Sequence, residues 1–189
     1  YVLAAPTSGT AGKPLVFSLH GDGGNGAGMR AALPLEAPAA GAAVFVYPNA
    51  AAGNTFEYFT AAGRTREVQF VRDVINQLDA ELGIDRTRVF LAGFSGGGTM
   101  ANVLACRMAF PEIRGVAVNA GSLYPIDDDF TYTGNGGVSC ALPATMLLWG
   151  EADNTQGVSY TTGVSIRNNV RATLGCQASS TAFAPSPCV

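Results

Sequence analysis

Apolar residues follow two rhythms along this chain. The first is a short unbroken block, seen at Leu15–His20, Ala42–Tyr47, Val89–Phe94, Gly115–Asn119 and Ala144–Trp149, most of them stopped by glycine, proline or asparagine. Blocks without polar alternation suit strands covered on both faces, as in a parallel sheet. The second rhythm is helical. Val68, Val71, Ile75, Leu78 and Leu82, widened by Phe70 and Val74, predict an amphipathic helix over about 65–82 that closes at Gly83. Further helices are expected over 99–109 and 157–174, and a short one near 29–36 is interrupted by Pro34 and Pro38. Tyr1–Ala5 reads as a short strand. Strands alternating with helices predict an α/β fold, a mostly parallel sheet with helices on both faces. No internal repeat or linker divides it, so residues 1–189 are expected to form a single domain.

Composition narrows the classes of function. A length of 189 residues supports a real core, and 48% hydrophobic against 13% charged residues argues against disorder. The formal charge is −3, and Lys13 is the only lysine beside ten scattered arginines. Nothing there makes a basic surface for nucleic acid or an anionic membrane, and no apolar run reaches the roughly 20 residues of a membrane span. The chain starts at Tyr1 without a charged and then apolar leader, which for an exported protein means that a signal peptide has been removed. Four cysteines, an even number, suit two disulfides in a secreted, extracellular protein. Three pairings are open; Cys176 with Cys188 and Cys106 with Cys140 is the one expected. With one histidine and no Cys-x-x-Cys, no zinc site is expected, and no cofactor.

The chemistry is expected at the carboxyl ends of the strands, where parallel sheets bind ligands. Gly93-Phe94-Ser95-Gly96-Gly97 follows an apolar strand and precedes a helix, which is the setting of a nucleophile elbow with Ser95 as nucleophile. A serine needs a base to take its proton, and that base needs an acid to hold it. It also needs backbone N–H groups where negative charge develops. Gly96 offers one, and the glycine-rich loop His20-Gly-Asp-Gly-Gly24 offers the second. The same loop formally matches a dinucleotide fingerprint, Gly21-x-Gly23-x-x-Gly26. That reading requires an acidic residue about 20 positions on, where the chain has Tyr47-Pro48-Asn49. Asp153, at the end of a late strand, is the expected acid, with Glu151 as substitute and an ordinary turn aspartate as the alternative. Asp127, Asp128 and Asp129 read as a solvated loop before a metal site. Trp149, Met100 and Met108 read as core. The loop from 50 to 64 carries Asn54, Phe56, Tyr58 and Phe59, which either line a substrate cleft or cap the core.

Taken together, His20-Gly-Asp-Gly-Gly-Asn-Gly, Ile84-Asp-Arg-Thr-Arg-Val-Phe-Leu-Ala-Gly-Phe-Ser-Gly-Gly-Gly and Leu148-Trp-Gly-Glu-Ala-Asp resemble the secreted α/β-hydrolases of the feruloyl esterase, acetylxylan esterase and polyhydroxyalkanoate depolymerase type. The resemblance spans about 14–176. It implies Ser95 as nucleophile, Asp153 as acid, and the backbone N–H groups of Asp22 and Gly96 as oxyanion hole. It implies a monomeric carboxylic-ester hydrolase acting on acyl or feruloyl esters of plant polysaccharide, or on a polyester. The chain departs from the family in two places. The position of Asp22 usually holds a small or thiol residue, so a carboxylate there must point away from the oxyanion. The family histidine lies beyond the Asp153 loop, yet this chain has no histidine after His20, which in the family is structural. The expectation is a C-terminally incomplete domain lacking the last strand and the histidine loop. Two other readings compete: a non-catalytic hydrolase-like protein that binds carbohydrate or a partner, and a serine peptidase on the same fold.

Overall fold

The computed structural model describes residues 1–51, 53–122, 142–173 and 175–176. A six-stranded sheet runs through it in the order β1-β3-β2-β4-β5-β6. Its strands are β1 (Val2–Ala4), β2 (Leu15–Leu19), β3 (Val44–Tyr47), β4 (Val89–Phe94), β5 (Gly115–Asn119) and β6 (Ala144–Leu148). All neighbours pair in parallel except β1, which lies antiparallel to β3 with Leu3 opposite Val46. The helices are α1 (Gly26–Ala32), α2 (Glu36–Ala39), α3 (Ala61–Leu82), α4 (Gly96–Glu112) and α5 (Tyr160–Thr173).

One face of the sheet is closely packed from β2 to β5. Leu15, Phe17 and Leu19 of β2, Val89 and Leu91 of β4, and Val116 and Val118 of β5 are buried there. Against them lie Val68, Val71, Val74, Ile75 and Leu78 of α3, the inner residues of α4, and Ile166 and Val170 of α5. The predicted helical stripe is therefore the core stripe. Helix α4 packs against β2, β4 and β5 and against α3, and is apolar nearly all round, with Met100, Val103, Leu104 and Met108 buried.

The opposite face departs from the expected two-sided cover. Helices α1 and α2 cover it at β1 and β3, where Met29 meets Ala4, Phe45 and Tyr47. Over β4 to β6, no described helix covers Phe90, Ala92, Ala117 and Met146, which line a cavity of about 480 Å³. Met146 is 59% exposed, so β6 is a half-open strand. Periodicity could not foresee this, because an apolar block reads the same whether one or both of its faces find a partner.

Helix limits moved where a cap decided them. Helix α3 begins at Ala61, four residues before the predicted start, because Thr60 accepts the N–H of Gly63 through Oγ1 at 2.9 Å. Asn25 caps α1 in the same way, accepting from Gly28 at 2.8 Å. The cysteine pairing also needs correction. Cys176 is an exposed free thiol, so the expected bond to Cys188 is not made. Cys106 is buried and disulfide-bonded, and Cys140 and Cys188 lie outside the described residues, as do Asp127, Asp128 and Asp129.

Candidate active site

Ser95 stands between the end of β4 and the first turn of α4, with φ 53° and ψ −122°. A non-glycine residue pays for such a backbone in strain, and it persists only where neighbours hold it. They do so from three sides. The N–H of Ser95 donates to the carbonyl of Asn119 on β5 at 2.9 Å, its carbonyl accepts from Thr99 at 3.0 Å, and Gly21 lies against its Cβ. The glycines around it permit that closeness. A Cβ on Gly93 would stand 2.2 Å from the carbonyl oxygen of Gly97, and one on Gly97 would stand 2.3 Å from that of His20. The elbow is thus wedged between α4 and the end of β2, and the serine is only half-buried.

The glycine-rich loop after β2 lies beside Ser95, where an added Cβ on Gly21 would stand 3.3 Å from the serine Cβ. No described acceptor takes the N–H of Asp22 or of Gly96. Gly96 begins α4, whose first N–H groups lack helical partners and carry the positive end of the helix dipole. The carboxylate of Asp22 does not occupy this space by hydrogen bonding to Gly96. It lies on the Cα side of Gly96, where an added Cβ would meet Oδ1 at 2.1 Å, and it accepts the hydroxyl of Tyr58 through Oδ2 at 2.6 Å.

Tyr58 belongs to the loop between β3 and α3, whose role the sequence left open between cleft and core. Phe56 and Tyr58 are buried, at 1% and 5%, and Phe59 is exposed. The loop grips the oxyanion loop at three points: Tyr58 to Asp22, Gly23 N–H to Asn54 carbonyl at 2.9 Å, and the Phe56 ring on the His20 ring at 4.6 Å. Helix α3 holds it in turn. Arg64, 1% exposed, donates to the carbonyl of Tyr58 at 3.0 Å, and Glu67 accepts the N–H of Glu57 at 3.0 Å. Burial pushes the Glu67 carboxyl above the usual carboxylate range, an effect that the Glu57 N–H opposes. Reasoning from sequence missed Arg64 and Glu67. Their only signal was a charged residue at positions that the helical stripe, extended backward, turns inward.

His20 is not the base of Ser95. Its ring is 2% exposed, and Nδ1 lies 2.7 Å from the carbonyl oxygen of Gly21, which makes it the donor. Nε2 is buried without a partner, so it does not bond the serine hydroxyl. The dinucleotide reading of the same loop also fails in detail. Asn49, where the acidic residue was needed, accepts the N–H of Gly26 at 2.9 Å.

Asp153 follows β6 at the sheet's carboxyl edge and is half-buried. Its Oδ1 accepts the N–H of Thr155 at 3.0 Å, and its carbonyl accepts that of Tyr160 at the start of α5. This is a turn aspartate with a second carboxylate oxygen to spare. Glu151 is exposed on the same loop. Trp149 packs on the core and donates to the carbonyl of Val158 at 2.9 Å. Two cavities, about 300 Å³ beside Arg72 and Glu112 and about 400 Å³ beside Trp149 and Cys176, contain neither Ser95 nor Asp153. Among the described residues no three His, Cys, Asp or Glu side chains gather as metal ligands would.

A strained serine between a parallel strand and a buried helix, with a glycine loop across it, defines the α/β-hydrolase fold. Solved structures agree: an acetyl xylan esterase from Aspergillus awamori matches with a TM-score of 0.71 at 16% identity, covering 96% of this chain and 77% of that one. Esterase PE8 matches with a TM-score of 0.67 at 21% identity, covering 93% and 84%. In sequence, a protein named "Probable feruloyl esterase C" from Aspergillus flavus is 31% identical over 189 aligned residues, covering 94% of this chain and 62% of that protein. Feruloyl esterase C from Emericella nidulans is 37% identical over 131 residues, covering 65% and 46%. No protein-family model matches. These relatives bear out the resemblance to α/β-hydrolase esterases of the feruloyl and acetylxylan type. The chain spans less than two thirds of the length of those two sequence relatives.

Proposed function

We propose that the chain carries the nucleophile and oxyanion hole of a carboxylic-ester hydrolase that works through an acyl-enzyme at Ser95. The observation that carries this is the backbone of Ser95, held at φ 53° by β5, α4 and the oxyanion loop at once. Strain kept in place from three sides is costly for stability and serves to present a side chain. In the reaction, Oγ attacks the ester carbonyl carbon and gives its proton to a base. The carbonyl oxygen takes negative charge opposite the N–H groups of Asp22 and Gly96. Collapse expels the alcohol, which takes the proton, and water then releases the acid from Ser95. Asp153 would orient and stabilise the base through its remaining oxygen. The imidazole is not supplied by this sequence, in which His20 is the one histidine and is otherwise engaged.

The names of the relatives support a feruloyl or acetyl ester as substrate; the finer reading is an acyl or feruloyl ester of plant polysaccharide, or a polyester, cleaved by a secreted monomer. Phe94 favours an acyl group with apolar surface, because its ring is 48% exposed beside Gly21 and next to the nucleophile. The second reading, a non-catalytic binding protein, is favoured by the engaged His20. A fluorophosphonate probe applied to the protein as its organism makes it separates the two. Modification at Ser95 that Ser95→Ala abolishes is the expected result. An inert Ser95 would leave the binding reading, since a serine without an activating base does not react.

A further inference from the structure

We infer that Tyr58 is a positioning residue for the oxyanion hole, acting through the carboxylate of Asp22; this rests on the esterase reading of Ser95. Asp22 must offer its N–H to a developing negative charge while carrying a negative side chain of its own. Free to rotate, that carboxylate would repel the oxyanion or accept the N–H groups meant for it. Two features prevent this. The Tyr58 hydroxyl donates to Oδ2 at 2.6 Å, and Gly96, lacking a Cβ, leaves the pocket into which Oδ1 fits. The carboxylate is parked on the Cα side of Gly96, and the N–H groups of Asp22 and Gly96 keep no described acceptor.

The parking is prepared before any substrate arrives. The Tyr58 ring is buried, at 5% exposure, and lies 4.3 Å from that of Phe59. Its carbonyl is held by the buried Arg64, and its neighbour Glu57 by Glu67. A hydroxyl fixed to a helix in this way is preorganised, which is what a group aimed at one state of a reaction requires. The chain of support runs from α3 through Tyr58 to Asp22, ending at the first turn of α4.

The test is a double-mutant cycle on the protein as its organism makes it, reading the rate of Ser95 modification by a fluorophosphonate and the acylation burst with p-nitrophenyl acetate. Tyr58→Phe is expected to slow acylation about tenfold, less than the loss of a whole oxyanion donor. In the Asp22→Asn background the same change is expected to slow it by less than about twofold, because no charge remains to be parked. Equal losses in both backgrounds, or none in either, would overturn the inference. Where Tyr58→Phe also lowers the unfolding midpoint, the comparison between backgrounds still isolates the charge. An unreactive wild type would instead sink the esterase reading of Ser95.

Discussion

Gly97→Ala is the most direct test of how the elbow is held. A Cβ at this position would lie 2.3 Å from the carbonyl oxygen of His20, 2.5 Å from that of Leu19 and 2.7 Å from the Leu19 carbonyl carbon. Ordinary contact needs about 3.4 Å, so the deficit is near 1 Å, and every atom on the far side is backbone. No rotamer change relieves it; β2 and α4 must separate along their shared contact. Overpacking typically destabilises by about 1–3 kcal/mol, and a backbone-to-backbone clash belongs at the upper end, about 3 kcal/mol. For a domain of this size that lowers the melting temperature by roughly 6–12 °C. Gly150→Ala is the control, since nothing lies within 4 Å of its added Cβ and the expected change is within about 0.5 kcal/mol. Urea denaturation of both variants and of the wild type gives the comparison. Equal midpoints for the two variants would refute the close approach of β2 and α4. Ser95 modification in Gly97→Ala should fall with the distortion of the elbow, even at temperatures where the variant remains folded.

Three further outcomes follow from the support beneath the oxyanion loop and from the turn before β4. Glu67→Gln should keep the bond from the Glu57 N–H while removing a carboxyl whose range burial raises. A raised acid favours its protonated form in the fold, so wild-type stability is full below the ordinary carboxylate value and declines as pH rises toward the folded one. Denaturation midpoints of Glu67→Gln should lack that decline, and a parallel decline would refute the assignment. Arg64→Met should destabilise by about 2 kcal/mol, because a charge-assisted bond to the Tyr58 carbonyl is lost inside the core, and a change under about 0.5 kcal/mol in urea would contradict it. At Asp85, hydrogen bonds from the Thr87 hydroxyl, Arg88 and the Thr87 N–H hold the carboxyl down to about 2. Its stabilisation is present above the ordinary carboxylate range and lost as pH falls toward 2; acid titration of Asp85→Asn should lack this limb.

Much of the architecture was legible in the order of residues. Apolar blocks marked five of the six described strands, since a parallel strand packed on at least one face tolerates no polar run. The spacing of Val68, Val71, Ile75 and Leu78 marked the face of α3, because a helix brings every third or fourth residue to one side. Ser95 and its glycines were recognisable for a local reason: the turn from strand to helix is made by adjacent residues, and their steric limits are written into their types. Tertiary structure decided what depends on distant segments meeting. It committed His20 to Gly21 and Phe56, assigned Asn49 to Gly26, left one face of β4 to β6 without a described helix, and kept Cys176 unpaired. It also bound the carboxylate of Asp22, beside the proposed oxyanion hole, to a tyrosine 36 positions away. Side chains recognise partners across space, and a hydroxyl suited to a carboxylate looks like any other tyrosine until the fold places it there.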